Sequence, residues 1–343
     1  MALGAEQLAA LNAAKLRALT RGRVGDDAVV VGERASGPGR AGALPGGAGL
    51  VDGSTVWVLL GPDADRSLGA ALAWARRHGS EMLHVVVDDA EAAGLLARRA
   101  TFFAPAPTVW RADGAQLVAV EPVPVPPLRP VPGDADLRSL LREAGLTVVE
   151  EDGVVLGELL GLEVGRITAG EAGPELGVGV GRFDREMGEL AQADLAPADR
   201  LHRAVEIVAR YRRPGAPPHP LNQLVPERWM RAALVTDPER IGVAALRPVP
   251  SAVGRTNLKE TAVATAVGVD TAGEPVVVSC STGVDLELVP AAADDRAARA
   301  PGARLILVVP ARDALPLTRD LAARLAAPAD VVGLDGEWKI AWE

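Results

Sequence analysis

Residues 83–100 read LHVVVDDAEAAGLLARRA, a leucine and valine run followed by two aspartates and an alanine-rich stretch. Residues 305–326, LILVVPARDALPLTRDLAARLA, show the same order. A continuous run of this kind predicts a strand that is covered on both faces of its sheet. The helix that follows fits a right-handed crossover to the next strand. Both stretches therefore predict an α/β fold.

The similarity between the two halves extends in both directions and keeps its spacing. The other matched pairs are 16–40 with 229–255, 51–61 with 269–283, 63–79 with 285–302, and 107–114 with 329–336. Each copy reads as helix, three strands, helix, strand, helix, strand over roughly 100 residues, the size of a single domain. The sequence therefore predicts an internal duplication that gives two related three-layer α/β modules.

A segment of different composition separates the two copies. Proline-rich stretches flank it, EPVPVPPLRPVPG at 121–133 and RRPGAPPHPLN at 212–222, and such stretches are stiff and extended. Between them the pattern predicts a capped helix, three strands with glycine turns, and a second helix. We therefore expect an acidic α+β insert between the modules, with boundaries at 1–116, 117–215 and 216–343.

Charge and composition narrow the class of protein. The net charge is −9, and residues 134–200 alone contain 15 acidic and 6 basic residues, which disfavours a nucleic-acid partner. One cysteine suits a reducing compartment, and no apolar run reaches the ~18 residues that span a bilayer. These features predict a cytoplasmic protein without a membrane association. Its oligomeric state stays open.

The element order also resembles the restriction-endonuclease-like, or PD-(D/E)XK, fold. In that family an aspartate ends the second strand and Glu-X-Lys follows on the third, so that two carboxylates hold a divalent metal such as Mg²⁺ and the lysine positions the attacking water. Asp52 and Asp270 occupy the aspartate position here. The following strands carry Val56 to Leu60 in one copy and Ser279-Cys280-Ser281 in the other. The resemblance thus implies degenerate nuclease sites, and Asp52 is better explained as a turn former.

GRTNLKE, at 254–260, replaces the Gly-Arg-Ala-Gly-Ala of 39–43 in the first copy. Strand alternation would place Asn257 and Lys259 on one face. One hypothesis makes this a migrated metal site, with Asp270 and Glu260 as ligands and Lys259 as the catalytic lysine. The alternative is a solvated edge, where lysine prevents aggregation.

Other polar residues are candidates for ligand binding or are readily explained by structure. Arg255 and Asn257, with a nearby segment that carries His219, Asn222 and Arg228, are candidates to line a pocket. Cys280 fits an inert core thiol. Glu158 and Glu163 are five residues apart, so on a regular strand they would point to opposite faces. They would therefore make a poor acid–base pair.

Two function classes fit these residues. The first is a non-catalytic interaction or binding module on a degenerate nuclease-like fold, with a protein as its partner. The second is a metal-dependent phosphodiesterase or nuclease-like hydrolase that uses Asp270, Glu260 and Lys259. A divalent cation is expected as cofactor only for the hydrolase.

Overall fold

A computed structural model describes residues 5–25, 27–31, 44, 46–191, 194–255 and 257–342, and it describes their side chains except at 5, 6, 31 and 187–191. Compact packing divides the chain into two units. The first comprises Met1–Pro124, Leu286–Asp294 and Leu315–Asp330, and the second comprises Val125–Asp285, Asp295–Ala314 and Val331–Glu343. The three-part boundaries expected from the sequence stay a prediction.

The first unit contains a six-stranded mixed sheet with the order β1-β2-β3-β4-β5-β6. Its elements are α1 (Ala5–Thr20), β1 (Val29–Val31), β2 (Ala48–Asp52), β3 (Thr55–Leu59), α2 (Leu68–Arg77), β4 (Met82–Val87), α3 (Ala90–Ala100), β5 (Thr108–Asp113) and β6 (Gln116–Ala119). β2 and β3 are antiparallel, whereas β3, β4 and β5 are parallel. Val85, Val86 and Val87 on β4 are fully buried, as the valine run predicts.

Residues 147–178, in the second unit, form a four-stranded antiparallel sheet with the order β10-β9-β8-β7. Its elements are α4 (Ala135–Glu143), β7 (Thr147–Glu151), β8 (Val154–Leu159), β9 (Leu162–Gly170), β10 (Gly173–Val178), α5 (Gly181–Ala191) and α6 (Pro197–Tyr211). The sequence predicts three strands here. The prediction is wrong because Leu160 and Gly161 make a two-residue turn inside what reads as one continuous run.

The second unit also contains a five-stranded mixed sheet with the order β11-β12-β13-β14-β15. The elements of this part of the chain are α7 (Pro220–Gln223), α8 (Pro226–Thr236), β11 (Val243–Val249), β12 (Ala264–Asp270), β13 (Pro275–Cys280), α9 (Leu288–Arg299), β14 (Arg304–Pro310), α10 (Pro316–Ala323) and β15 (Asp330–Leu334). β12 and β13 are antiparallel, and β13 and β14 are parallel.

The fold class expected from the sequence is confirmed at the level of a mixed α/β protein. The described elements follow the predicted order, helix, three strands, helix, strand, helix, strand, before the insert and again from α8 onward. The comparison of 39–43 with GRTNLKE rests partly on residues outside the described ones. Among the described residues, no helix combines the length and the apolar character needed to cross a membrane.

Candidate functional site

Helix α8 carries three charged side chains that the fold buries within the second unit. Its sequence is PERWMRAALVT, and proline at the first helical position, Pro226, suits a helix start. Glu227, Arg228 and Arg231 are 3, 8 and 3% exposed. Arg228 and Arg231 are three residues apart, so they are neighbours on the helix surface. Buried charges of this kind require partners.

Glu158, next to the end of β8, is the central partner of these arginines. Its Oε1 accepts a hydrogen bond from Nη1 of Arg228 at 2.8 Å, and its Oε2 accepts one from Nη2 of Arg231 at 2.5 Å. Arg228 also donates from Nη2 to Glu151 at 2.5 Å. Glu158 is 2% exposed, so both of its oxygens are occupied and shielded from water.

The β8–β9 hairpin places Glu158 opposite Glu163 in the strand register. The turn residues Leu160 and Gly161 have φ values of 48° and 79°, as expected for a two-residue turn with positive φ at both positions. Residues directly opposite on antiparallel strands share a face. The expectation that these glutamates point to opposite faces is therefore wrong, because they do not belong to one regular strand.

Glu163 is neutralised by two arginines of its own. Arg166 donates to its two oxygens at 2.8 and 2.7 Å, and Arg185 donates to Oε1 at 2.5 Å. The hydrogen bonds to Glu163 raise the pKa of Arg166 above its ordinary value, although burial opposes the shift. Like charges opposite each other destabilise a sheet, so these arginines allow Glu158 and Glu163 to be neighbours.

Arg212 is fully buried, and its guanidinium lies over the ring of Trp229, 4.6 Å from the centroid. It donates to four backbone carbonyls, those of Leu160, Leu221, Leu224 and Val225. Burial lowers the pKa of Arg212 to about 9, against the opposing effect of nearby glutamates. The side chain therefore stays charged at neutral pH.

Arg255 lies in the loop between β11 and β12, and its side chain is 9% exposed. Its Nη2 donates to Glu227. Burial lowers the pKa of Arg255 below its ordinary value, with Glu227 opposing the shift. Among the described residues, its buried Nη1 has no hydrogen-bond partner.

These side chains form what we call the arginine–glutamate cluster, which comprises Glu151, Glu158, Glu163, Glu227, Arg166, Arg185, Arg212, Arg228, Arg231 and Arg255. Members of the cluster also interact electrostatically with members to which they are not hydrogen-bonded. Burial would lower the pKa of Arg228, but the four glutamates outweigh burial and raise it above its ordinary value. The charge of Arg228 is therefore strongly stabilised by its surroundings.

Three cavities of the second unit adjoin the cluster. One, of about 560 Å³, lies at Arg166 and Arg185, and the other two adjoin helix α8. Of these two, the larger has a volume of about 470 Å³ and a lining that includes Leu160, Val235, Pro248, Ile340, Ala341 and Trp342, with Glu158 and Arg231 as its charged residues. The smaller has a volume of about 70 Å³, and its charged lining residues are Glu151, Asp152, Arg228, Arg231 and Arg255. Arg231 lines both cavities.

The residues proposed for a metal site come from two parts of the chain. Lys259 and Glu260 lie in the loop before β12, whereas Asp270 ends that strand, six residues and thus roughly 20 Å beyond its first residue, Ala264. Asp270 accepts hydrogen bonds from the backbone amides of Ala272 and Glu274 at 2.9 and 3.0 Å, which is the behaviour of a turn former. Among the described residues, no group of three or more His, Cys, Asp or Glu side chains is arranged to hold a metal ion.

The alternation expected in GRTNLKE is also wrong, because the described residues 257–260 form a turn and not a strand. Asn257 Oδ1 accepts from the backbone amide of Lys259 at 2.9 Å, and Lys259 is exposed. Arg255 is the side chain of this segment that enters the cluster. The loop therefore contributes through its arginine, and the rare residue types beside it shape the turn.

The remaining ligand-binding candidates divide between two places. Arg228 joins Arg255 at the small cavity. His219 and Asn222 instead cap α7: Nδ1 of His219 accepts from Leu221, and Oδ1 of Asn222 accepts from the backbone amide of His219 at 3.3 Å. Both side chains therefore have a structural role at a helix start, although His219 also lines a separate cavity of about 370 Å³.

Sequence reasoning did not identify Arg212 and Arg231 as site residues, because arginine supplies all but three of the 36 basic residues and no single one stands out. The sequence did contain one useful signal, the Leu160–Gly161 turn. Recognising that turn would have placed Glu158 opposite Glu163 on neighbouring strands. No protein-family model, no curated protein and no solved structure matches the chain.

Proposed function

We propose that this chain is a non-catalytic binding protein whose larger cavity takes a small amphipathic molecule. A volume of about 470 Å³ lies within the range of ~300–1,000 Å³ that is usual for ligand sites. The lining combines aliphatic residues and Trp342 with polar residues, namely Thr147, Thr236 and the ion pair of Glu158 with Arg231. An amphipathic lining of this kind suits a molecule that has an apolar body and a polar or charged group.

The observation that carries the proposal is that Glu158 is already fully engaged in hydrogen bonds to arginines. Its two oxygens already accept hydrogen bonds from Arg228 and Arg231. A general base must instead reach the proton that it removes from the substrate. Glu158 is therefore better suited to hold Arg231 at the cavity wall than to transfer protons, which favours binding over catalysis.

We also infer, as a proposal about origin, that the modules around β1–β5 and β11–β15 descend from one nuclease-like ancestor. Their common element order supports this, as does the matching orientation of β2–β3 with β12–β13 and of β3–β4 with β13–β14. A binding protein on such a fold needs no metal, and this agrees with the positions of Lys259, in the loop before β12, and Asp270, at the end of that strand.

Binding of the fluorescent probe 1-anilinonaphthalene-8-sulfonate tests the proposal, because it combines an aromatic body with one negative charge. Ala232 lines the larger cavity, so Ala232→Trp should fill it and weaken binding at least tenfold. Ala272→Trp is the matched control, since Ala272 is exposed in the β12–β13 turn. It should leave binding within twofold of the unsubstituted protein.

Near-ultraviolet circular dichroism must show that both variants keep their tertiary packing, because this probe also binds partly unfolded chains. If Ala232→Trp folds and binds the probe as strongly as Ala272→Trp, the larger cavity is not the binding site and the proposal fails.

A further inference from the structure

The small cavity differs from the larger one in what surrounds it. Its charged lining residues are three arginines, Arg228, Arg231 and Arg255, and two acidic residues, Glu151 and Asp152. All three arginines are held by carboxylates of the cluster. On the scale where one water molecule needs ~10–15 Å³, its volume of about 70 Å³ has room for a phosphate or carboxylate group. A drug-sized ligand would not fit.

One hydrogen-bond donor at this cavity is unused. Within the described part of the chain, Nη1 of Arg255 is buried and has no acceptor, while Nη2 is bound to Glu227. A buried hydrogen-bond donor that lacks an acceptor is costly, and native structures rarely keep one without a reason. The missing group is an acceptor, and an oxyanion supplies one.

The charge balance of the cluster points the same way. Six arginines face four glutamates, so the cluster carries an excess of two positive charges in a chain whose net charge is −9. Among the described residues, Arg212 has no carboxylate within ion-pair distance and donates to carbonyl groups instead. An excess of buried positive charge is stabilised by an anion.

The loop that supplies Arg255 is anchored where it leaves β11. Asp295 accepts hydrogen bonds from Oγ of Ser251 at 2.8 Å and from the amide of Ala252 at 2.5 Å. Thr265, on β12, also donates to Asp295. Because Asp295 is fully buried, this anchor fixes the loop on either side of Arg255 and so presets the site.

We propose that the small cavity is a binding site for a compact oxyanion, a phosphate or a carboxylate group, held by Arg228, Arg231 and Arg255. Planar guanidinium groups match the geometry of both anions. The site shares Arg231 with the larger cavity, but it is argued from the unused donor of Arg255, so this inference does not depend on the proposed function.

Isothermal titration calorimetry with inorganic phosphate, and separately with acetate, tests the site at constant ionic strength set by sodium chloride. Arg255→Lys keeps the charge that pairs with Glu227 but removes the second nitrogen, so it should weaken binding at least tenfold. Arg182→Lys is the control, because the Arg182 side chain is 88% exposed, and it should bind within twofold of the unsubstituted protein. Ala232→Trp should also bind the anion normally, which separates this result from that for the larger cavity.

Saturable 1:1 binding of either anion, lost in Arg255→Lys and kept in Arg182→Lys, supports the site, and the preferred anion identifies its chemistry. The absence of binding by both anions, or equal binding by Arg255→Lys, overturns it. Should Arg255→Lys fail to fold, hydrogen exchange of the unsubstituted protein decides. The bound anion must slow exchange in residues 250–263, and unchanged exchange there would contradict the proposal.

Discussion

Replacing Glu158 with glutamine tests how much the arginine–glutamate cluster contributes to the stability of the folded protein. Glutamine keeps the size of the side chain but removes the charge that faces Arg228 and Arg231. Hydrogen bonds to charged groups contribute ~1.5–3 kcal/mol each, and Glu158 accepts two of them. Breaking a buried ion pair by removing one partner costs about 3–5 kcal/mol. We therefore expect the free energy of unfolding to fall by about 3–5 kcal/mol, a large part of the ~5–15 kcal/mol typical of a domain.

The matched control is Glu150→Gln, one strand away. The Glu150 side chain is 58% exposed and pairs with Arg138 at 2.7 Å. Exposed ion pairs contribute ~0–1 kcal/mol, so this variant should be almost as stable as the unsubstituted protein. Urea denaturation followed by tryptophan fluorescence measures the difference, and an unchanged m value shows that the same surface is exposed. Hydrogen exchange of residues 147–170 confirms that the loss is local to the hairpin.

The reasoning would be refuted if Glu158→Gln lost no more stability than Glu150→Gln. Water or a rearranged side chain would then be compensating the arginines, and the cluster would not be the dry network that the distances describe. The double variant Glu158→Gln with Arg231→Gln refines the test, because removing both partners should cost less than the sum of the single changes.

Three further outcomes follow from individual sites. Gly161→Ala should destabilise the protein by about 1–3 kcal/mol in urea denaturation, because a Cβ there would lie 2.3 Å from the carbonyl oxygen of Arg228 at a φ of +79°; an unchanged midpoint would contradict this. Burial, with a smaller effect of Arg23, lowers the pKa of His84, so stability should fall as the pH drops below 6.5, where the unfolded histidine takes up its proton first. An NMR titration should place that pKa below 6.5, and His84→Gln should lose this part of the pH dependence. Burial raises the pKa of Cys280 to about 12, so iodoacetamide should modify this thiol only after unfolding. Between pH 9 and 11 the free energy of unfolding should fall by up to ~1.4 kcal/mol per pH unit more than in Cys280→Ala, because the thiol ionises only in the unfolded chain.

The strands of the α/β sheets were predictable because their signal is local. Val85 to Val87 and Leu305 to Val309 are continuous apolar runs, and a run of that kind is buried wherever it sits in a sheet. Asp270 was equally readable as a turn former, since its carboxylate binds amides only two and four residues away. In these cases the residues that determine the structure are close together in the sequence.

The arginine–glutamate cluster was not predictable because its contacts are distant in sequence. Glu158 and Arg231 are 73 residues apart, and nothing near either one shows that they meet. The GRTNLKE segment shows the opposite problem, because the rarity of lysine and asparagine drew attention to Lys259 and Asn257. The side chain that the fold uses there is Arg255, whose residue type is too common in this chain to stand out.

The same cluster links three segments that surround the two cavities beside α8. Glu158 comes from the β8–β9 hairpin, Arg228 and Arg231 come from α8, and Arg255 comes from the β11–β12 loop. Each contact therefore contributes both to stability and to the shape of a binding surface, as a supporting shell does in designed sites. If this is right, Glu158→Gln should weaken probe binding in the larger cavity and anion binding in the smaller one together, because Arg231 lines both walls and loses its anchor. A loss of stability without any effect on either ligand would mean that the cluster is a folding element alone.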